Sequence, residues 1–162
     1  STVSIASDQF HNGTTSFKRS ITGSGASGTA VRAVTQNFQL NVGETMAWSF
    51  WVYSTRAGSI SPYFEGSRVS VGAYAGCSGS PSPVSIPANT WQKVAATCSP
   101  VSNMTITGGG GYNLQVQTGD FVWFDEFMTT KSTTQYAYGD GNSTDWVWNG
   151  AANNSTSTGP SS

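Results

Sequence analysis

Charge is scarce in this chain. Asp, Glu, Lys and Arg together make up 9% of its 162 residues, and the formal net charge is −1, against roughly 25% charged residues in an ordinary globular domain. No basic stripe is available to neutralise phosphates, so a nucleic-acid partner is not expected. Histidine occurs once, as His11, and cysteine twice, as Cys77 and Cys98. A structural zinc site needs about four such ligands, which excludes one here. No apolar run approaches the roughly 20 residues of a membrane-spanning helix, so no membrane partner is expected. A sustained helical period is also missing.

What fills the gap is Ser, Thr, Asn and Gly, with aromatic residues at 12%. That mixture, punctuated by Gly and Pro, points to strands rather than helices. Short alternating runs recur at Val3–Ile5, Ser16–Lys18, 30–40, Met46–Ser54, Ile60–Glu65, Arg68–Tyr74, Trp91–Cys98, Met104–Thr107, Tyr112–Gln117 and Phe121–Thr129. Turn signals separate them, among them Asn12-Gly13, Asn41-Val42-Gly43 and Gly119-Asp120. Gly66-Ser67 reads as the turn of a strand pair, and Gly108–Gly111 as a loose hairpin loop. The Gly/Ser run at 22–29 lacks the Gly-Lys-Ser/Thr ending of a phosphate loop and reads as a surface loop. The expected fold is an all-β antiparallel sandwich of the jelly-roll type.

Two strands are the densest in aromatic residues. In Met46–Ser54, Met46, Trp48, Phe50 and Val52 form one apolar face, while Ala47, Ser49, Trp51 and Tyr53 form the other. That second face is either covered by another element or offered to a ligand. In Phe121–Thr129, alternation puts Val122, Phe124, Glu126 and Met128 on one side and Trp123, Asp125, Phe127 and Thr129 on the other. Trp48, Phe50, Val52, Phe124 and Phe127 are the expected core, with Phe124 and Phe127 serving opposite faces. Each face then holds one carboxylate among large apolar groups, and such a group must be paired, hydrogen-bonded, metal-bound or protonated. A glycosidase needs two carboxylates flanking one bond. Asp125 and Glu126, pointing to opposite faces, cannot do that, and His11 has no acidic or nucleophilic partner near it in sequence. No catalysis is expected. Cys77 and Cys98 could each end a strand, which is compatible with a disulfide or with two buried thiols.

Beyond Thr130 the composition changes. Tyr136, Tyr138, Trp146 and Trp148 stand alone in a Gly/Asp/Asn/Ser/Thr matrix. We divide the chain into a sandwich over residues 1–130 and a polar appendage over 131–162. Ordering that appendage costs roughly 1–2 kcal/mol of backbone entropy per residue. Its aromatic rings are therefore expected to dock, with Gly139–Thr144 as a turn between two short arms.

Four segments in order, Gly13-Thr14-Thr15-Ser16-Phe17-Lys18, Gly43–Tyr53, Thr90-Trp91-Gln92-Lys93-Val94 and Phe124-Asp125-Glu126-Phe127, resemble the jelly-roll carbohydrate-binding modules attached to xylanases and glucanases. Tyr138-Gly139-Asp140-Gly141, Trp148-Asn149-Gly150 and Ala152–Thr158 resemble the ending of minor tail proteins of phages that infect actinobacteria. The resemblance implies a non-catalytic, extracellular, virion-associated module. Its partners would be host-surface carbohydrate and other virion proteins, and self-association is compatible with that setting. A purely structural virion decoration protein and an accessory module of a secreted polysaccharide hydrolase are the alternatives. In the resembling modules the first acid of the closing strand, here Asp125, binds a structural calcium, with Asp8 and backbone oxygens near Asn12-Gly13 as further candidate ligands. The alternative is that backbone amides, Arg19 or Lys18 satisfy Asp125. Sugar rings stack on aromatic faces and bond to amides, which makes Trp51, Tyr53, Tyr63, Tyr74, Gln115 and Gln117 the candidate carbohydrate contacts.

Overall fold

Alternation becomes strand wherever it was strongest. In a computed structural model, which describes residues 1–23, 29–66, 82–152 and 157–159 (backbone alone for 29, 30 and 32–36), eleven strands occur among the described residues. They are β1 (Thr2–Ala6), β2 (Ser16–Ser20), β3 (Thr29–Leu40), β4 (Met46–Ser54), β5 (Gly58–Gly66), β6 (Val84–Ile86), β7 (Gln92–Cys98), β8 (Met104–Leu114), β9 (Phe121–Thr130), β10 (Val147–Trp148) and β11 (Ser157–Thr158). One sheet runs β1-β2-β9-β4-β7, the facing sheet runs β3-β8-β5-β6, and β10 and β11 make a small sheet of their own. All named pairs are antiparallel. From β2 to β5 and again from β6 to β9 each strand crosses to the opposite sheet, the alternation of a jelly roll. The partner expected for β5 at Arg68–Tyr74 lies outside the described residues.

The core sits between the two large sheets. Met46, Trp48, Phe50 and Val52 of β4 are buried there with Val94 of β7, Val122 and Phe124 of β9, Ile60 and Phe64 of β5, and Met104, Ile106 and Leu114 of β8. The expected inward face of β4 is therefore correct residue by residue. Trp48 stacks on Phe50 at 5.0 Å, and Phe50 stacks on Phe127 at 5.1 Å.

Phe127 is where simple alternation fails. It packs against the same core as Phe124, not on the opposite face. The cause is a β-bulge. Ser49 pairs with Met128 and Trp51 with Asp125, so one residue of β4 spans two of β9. Glu126 absorbs the extra residue with φ at 51°, in the left-handed region. The slip turns Phe127 inward and leaves the adjacent carboxylates of Asp125 and Glu126 together at one place.

The glycine run corrects a second expectation. Gly108–Gly111 is not a hairpin loop but the middle of β8, paired with β3 on one side and β5 on the other. A Cβ on Gly110 would collide with the Val31 carbonyl oxygen, and one on Gly111 would fall 2.5 Å from Ile60 Cδ1. A Cβ on Gly109 would lie 3.3 Å from the Tyr63 carbonyl oxygen and 3.5 Å from Trp48 Cε3. Glycine here lets neighbouring backbone and rings approach where a side chain would hold them apart.

Candidate functional site

The face of β4 turned away from the core carries Trp51 and Tyr53. Register places Tyr53 opposite Trp123 of β9 and Trp51 opposite Lys93 of β7. Trp91, just before β7, lies 5.6 Å from Tyr53, and Phe121 lies 5.9 Å from Trp123. These rings form a continuous aromatic strip, but the chain covers much of it. His11 stacks on Trp51 at 3.7 Å and meets Trp91 edge-on at 5.7 Å. Lys18 sits over Phe121 and Trp123, and Asp8 accepts the Trp123 indole N–H at 2.9 Å. Asp8 also pairs with Lys18. Those two bonds, that to Lys18 first, hold its carboxyl below the usual carboxylate range. Ala47 and Ser49 on this face are buried as well. Beside them, Gln135 donates to the Ala96 carbonyl and Lys93 to the Tyr136 carbonyl. Of the two readings of this face, cover by other elements describes most of it.

The loop before β2 is pinned by the bulge. His11 N–H and Asn12 N–H donate to Asp125 Oδ2 at 2.9 and 3.3 Å, and Glu126 N–H donates to Asp125 Oδ1 at 2.8 Å. The His11 ring nitrogen Nδ1 lies 3.0 Å from Glu126 Oε2, with 28% of the His11 side chain and 8% of the Glu126 side chain exposed. His11 has no acidic partner near it in sequence, and Asp125 and Glu126 were expected on opposite faces. Instead one histidine ties to both carboxylates, because the bulge undoes the alternation. Calcium fits poorly here. It needs six to eight oxygens, whereas Asp125 is met by three N–H groups, and Asp8 is engaged by Lys18 and Trp123. No group of three or more His, Cys, Asp or Glu capable of holding a metal occurs among the described residues.

The C-terminal segment builds a different surface. β2 pairs with β9 over Phe121–Phe124, so among the described residues the second half of β9 has no strand beside it on that side. Residues 138–152 and 157–159 fold on themselves next to it. Asp140 accepts from Asn142 N–H at 2.9 Å and from the Ser143 hydroxyl, and Ser143 N–H donates back to the Asp140 carbonyl at 2.9 Å. This closes the turn expected in Gly139–Thr144. The arm after the turn leads into β10, which pairs with β11. The Trp146 ring is held between Gly139 and Gly159, where an added Cβ would lie 2.5 and 2.6 Å from it. The Trp148 ring packs against Gly141 and donates its N–H to the Asn142 side chain at 3.1 Å.

Between this unit and the sandwich lies a cavity of about 490 Å³. Its apolar walls are Phe38 of β3, Phe127 of β9, Tyr138, Trp146 and Trp148. Asn37, Lys131, Asp140 and Ser157 supply polar groups. A second cavity of about 290 Å³ adjoins it across Phe127 and Tyr138, and reaches Asp125, Glu126, Ile5 and Phe17. Burial first, then the carboxylates of Asp140, Glu126 and Asp125, push the Tyr138 phenol above its usual range.

Of the residues expected to touch sugar, Trp51 and Tyr53 do share a face, but His11 covers Trp51. Tyr63 is wholly buried, on the face of β5 opposite the core-facing Ile60 and Phe64, where its ring lies over Gly110 and meets Tyr112 edge-on at 6.0 Å. Gln115 and Gln117 are exposed after β8, where Gln117 N–H donates to Asp120. No contact joins them to the aromatic strip among the described residues. Tyr74 lies outside the described residues. Cys98 is buried and disulfide-bonded, and Cys77 lies outside the described residues. Sequence reasoning picked out Tyr138, Trp146 and Trp148 as docking anchors but missed Asp140, Phe38 and Phe127 as their neighbours. The interleaving of Gly139 and Gly141 with two tryptophans was the available signal.

The chain is similar in shape to carbohydrate-binding modules. A solved structure titled "Family 16 Carbohydrate Binding Module-2" overlaps it with a TM-score of 0.47 at 12% identity, covering 79% of this chain and 84% of that one. A family 61 carbohydrate-binding module in complex with β-1,4-galactotriose overlaps with a TM-score of 0.47 at 14% identity, covering 80% and 82%. No protein-family model matches the sequence, and no curated protein does. At this overlap the likeness carries no functional argument, and the fold rests on the strand pairing itself.

Proposed function

We propose that this chain is a non-catalytic carbohydrate-binding module whose sugar site is the cleft between β9 and the C-terminal segment. The observation that carries the reading is the aromatic cavity of about 490 Å³, a size typical of ligand sites. Its tryptophan and tyrosine rings offer stacking faces, and Asn37 and Ser157 offer hydrogen bonds to hydroxyls. The neighbouring acids are structural in this reading: Asp125 and Glu126 hold the His11 loop, and Asp140 closes its own turn. In the setting implied by the tail resemblance, the module sits on a virion and attaches it to host-surface polysaccharide.

A second reading, a structural virion protein that contacts other proteins, is favoured by one feature. β1 is an edge strand whose Val3 and Ile5 are well exposed. Binding of the isolated protein to host cell walls and to an array of purified glycans separates the two. Saturable glycan binding that Trp148→Ala abolishes, with the sandwich still folded, is the expected result. Absence of binding to every wall and glycan tested would leave the structural reading in its place.

A further inference from the structure

We propose that the cleft takes neutral sugar chains and rejects acidic ones, with Tyr138 as the wall between its two lobes. This rests on the sugar-binding reading above. The larger lobe and the smaller one share Phe127 and Tyr138, so a ligand passing Tyr138 would meet both. The charge they present is one-sided. Asp140 lines the larger lobe, and Asp125 and Glu126 line the smaller. Lys131 is the lysine or arginine among the described lining residues, and both Glu44 oxygens engage it, at 3.1 and 3.0 Å. Its charge is therefore offset locally. Asp125 and Asp140 are bonded to neutral donors, which satisfy lone pairs without cancelling charge. Tyr138, one of the two side chains common to both lobes, thus stands between Asp140 on one side and Asp125 and Glu126 on the other.

A uronate or phosphate brought into such a cleft meets like charge at short range. Between about 6 and 8 Å, at an effective dielectric near 20, that repulsion is enough for roughly a tenfold loss of affinity or more. A neutral chain meets hydrogen-bonding groups and ring faces without charge repulsion.

The test is a glycan array holding neutral, uronate and phosphorylated oligosaccharides, with every hit carried to calorimetric titration. The second protein is Asp140→Asn, which keeps the side-chain oxygen of the turn and removes only the charge. We expect hits among neutral glycans, acidic counterparts weaker by about tenfold or more, and a gap that shrinks in Asp140→Asn and at high salt. Acidic glycans binding as tightly as neutral ones would overturn this inference and leave sugar binding standing. A gap unchanged by Asp140→Asn would overturn it too, by removing the cleft's charge from the discrimination. No hit of any class would overturn the sugar-binding reading itself.

Discussion

Replacing Gly110 with Ala tests the least expected feature of the sandwich, the passage of β8 through four glycines. The added methyl would collide with the Val31 carbonyl oxygen, which is backbone of the neighbouring strand and cannot rotate aside. β3 must shift away from β8, losing ladder hydrogen bonds at Arg32↔Gly110 and beside it. Overpacking of this kind costs about 1–3 kcal/mol, and two weakened backbone bonds add about 1–3 kcal/mol. The expected loss is therefore about 2–6 kcal/mol, a large share of the roughly 5–15 kcal/mol that holds a domain folded. Gly111→Ala meets the tip of Ile60, a side chain that can move, and should cost less. Gly23→Ala, with nothing within 4 Å of the new methyl, should be near neutral. Urea unfolding followed by tryptophan fluorescence gives the three values. Gly110→Ala as stable as wild type would refute the pairing of β8 with β3 and return the glycines to a loop.

Phe50→Ala removes a fully buried ring that packs on Trp48, Phe124 and Phe127 and should cost about 3–5 kcal/mol in the same assay. Asp125→Asn should lower the melting temperature by weakening the bonds to His11 and Asn12 N–H, worth about 1.5–3 kcal/mol each to a charged acceptor. A calcium chelator should leave wild type unchanged, and a chelator-induced drop would reinstate a metal at Asp125. Acid should destabilise the fold through Asp8, Glu44 and Asp120. Burial opposes ionisation of Asp120, but Arg56 and the Gln117 N–H outweigh it, so its carboxyl sits below the ordinary range. Lys18 first lowers Asp8, and the Asn41 N–H first lowers Glu44. Groups depressed in the folded state contribute stability above about pH 4, the unfolded value, and lose it as pH falls through their folded values. Asp120→Asn should flatten the acid limb of a pH–stability curve, and an unaltered limb would count against the Arg56 pairing.

Local pattern sufficed for most of the longer strands and for the inward side of β4. Two-residue alternation in Met46–Ser54 is a property of the pleat, so the inward set Met46, Trp48, Phe50 and Val52 could be read without knowing any neighbour. Turn chemistry at Asn12-Gly13 and Gly119-Asp120 was equally local, and so was the turn at Asp140–Ser143. Three things were decided only by tertiary structure. The bulge at Glu126 depends on what lies across β4, and no local pattern announces that one residue there must span two. It carried Phe127 to the core and gathered Asp125 and Glu126 around His11, a residue 114 positions away from Asp125. The glycines of β8 look like a loop because their purpose lies in other strands: the Val31 carbonyl, the Ile60 tip and the Trp48 ring. The burial of Tyr63 is equally non-local, since its ring lies over Gly110 of the neighbouring strand. The cleft is the clearest case. Its rings were visible as isolated aromatics in a polar tail, but a cavity is a relation between surfaces. Only the fold could bring Phe38, Phe127 and Tyr138 to its walls, by ending the β2 pairing halfway along β9.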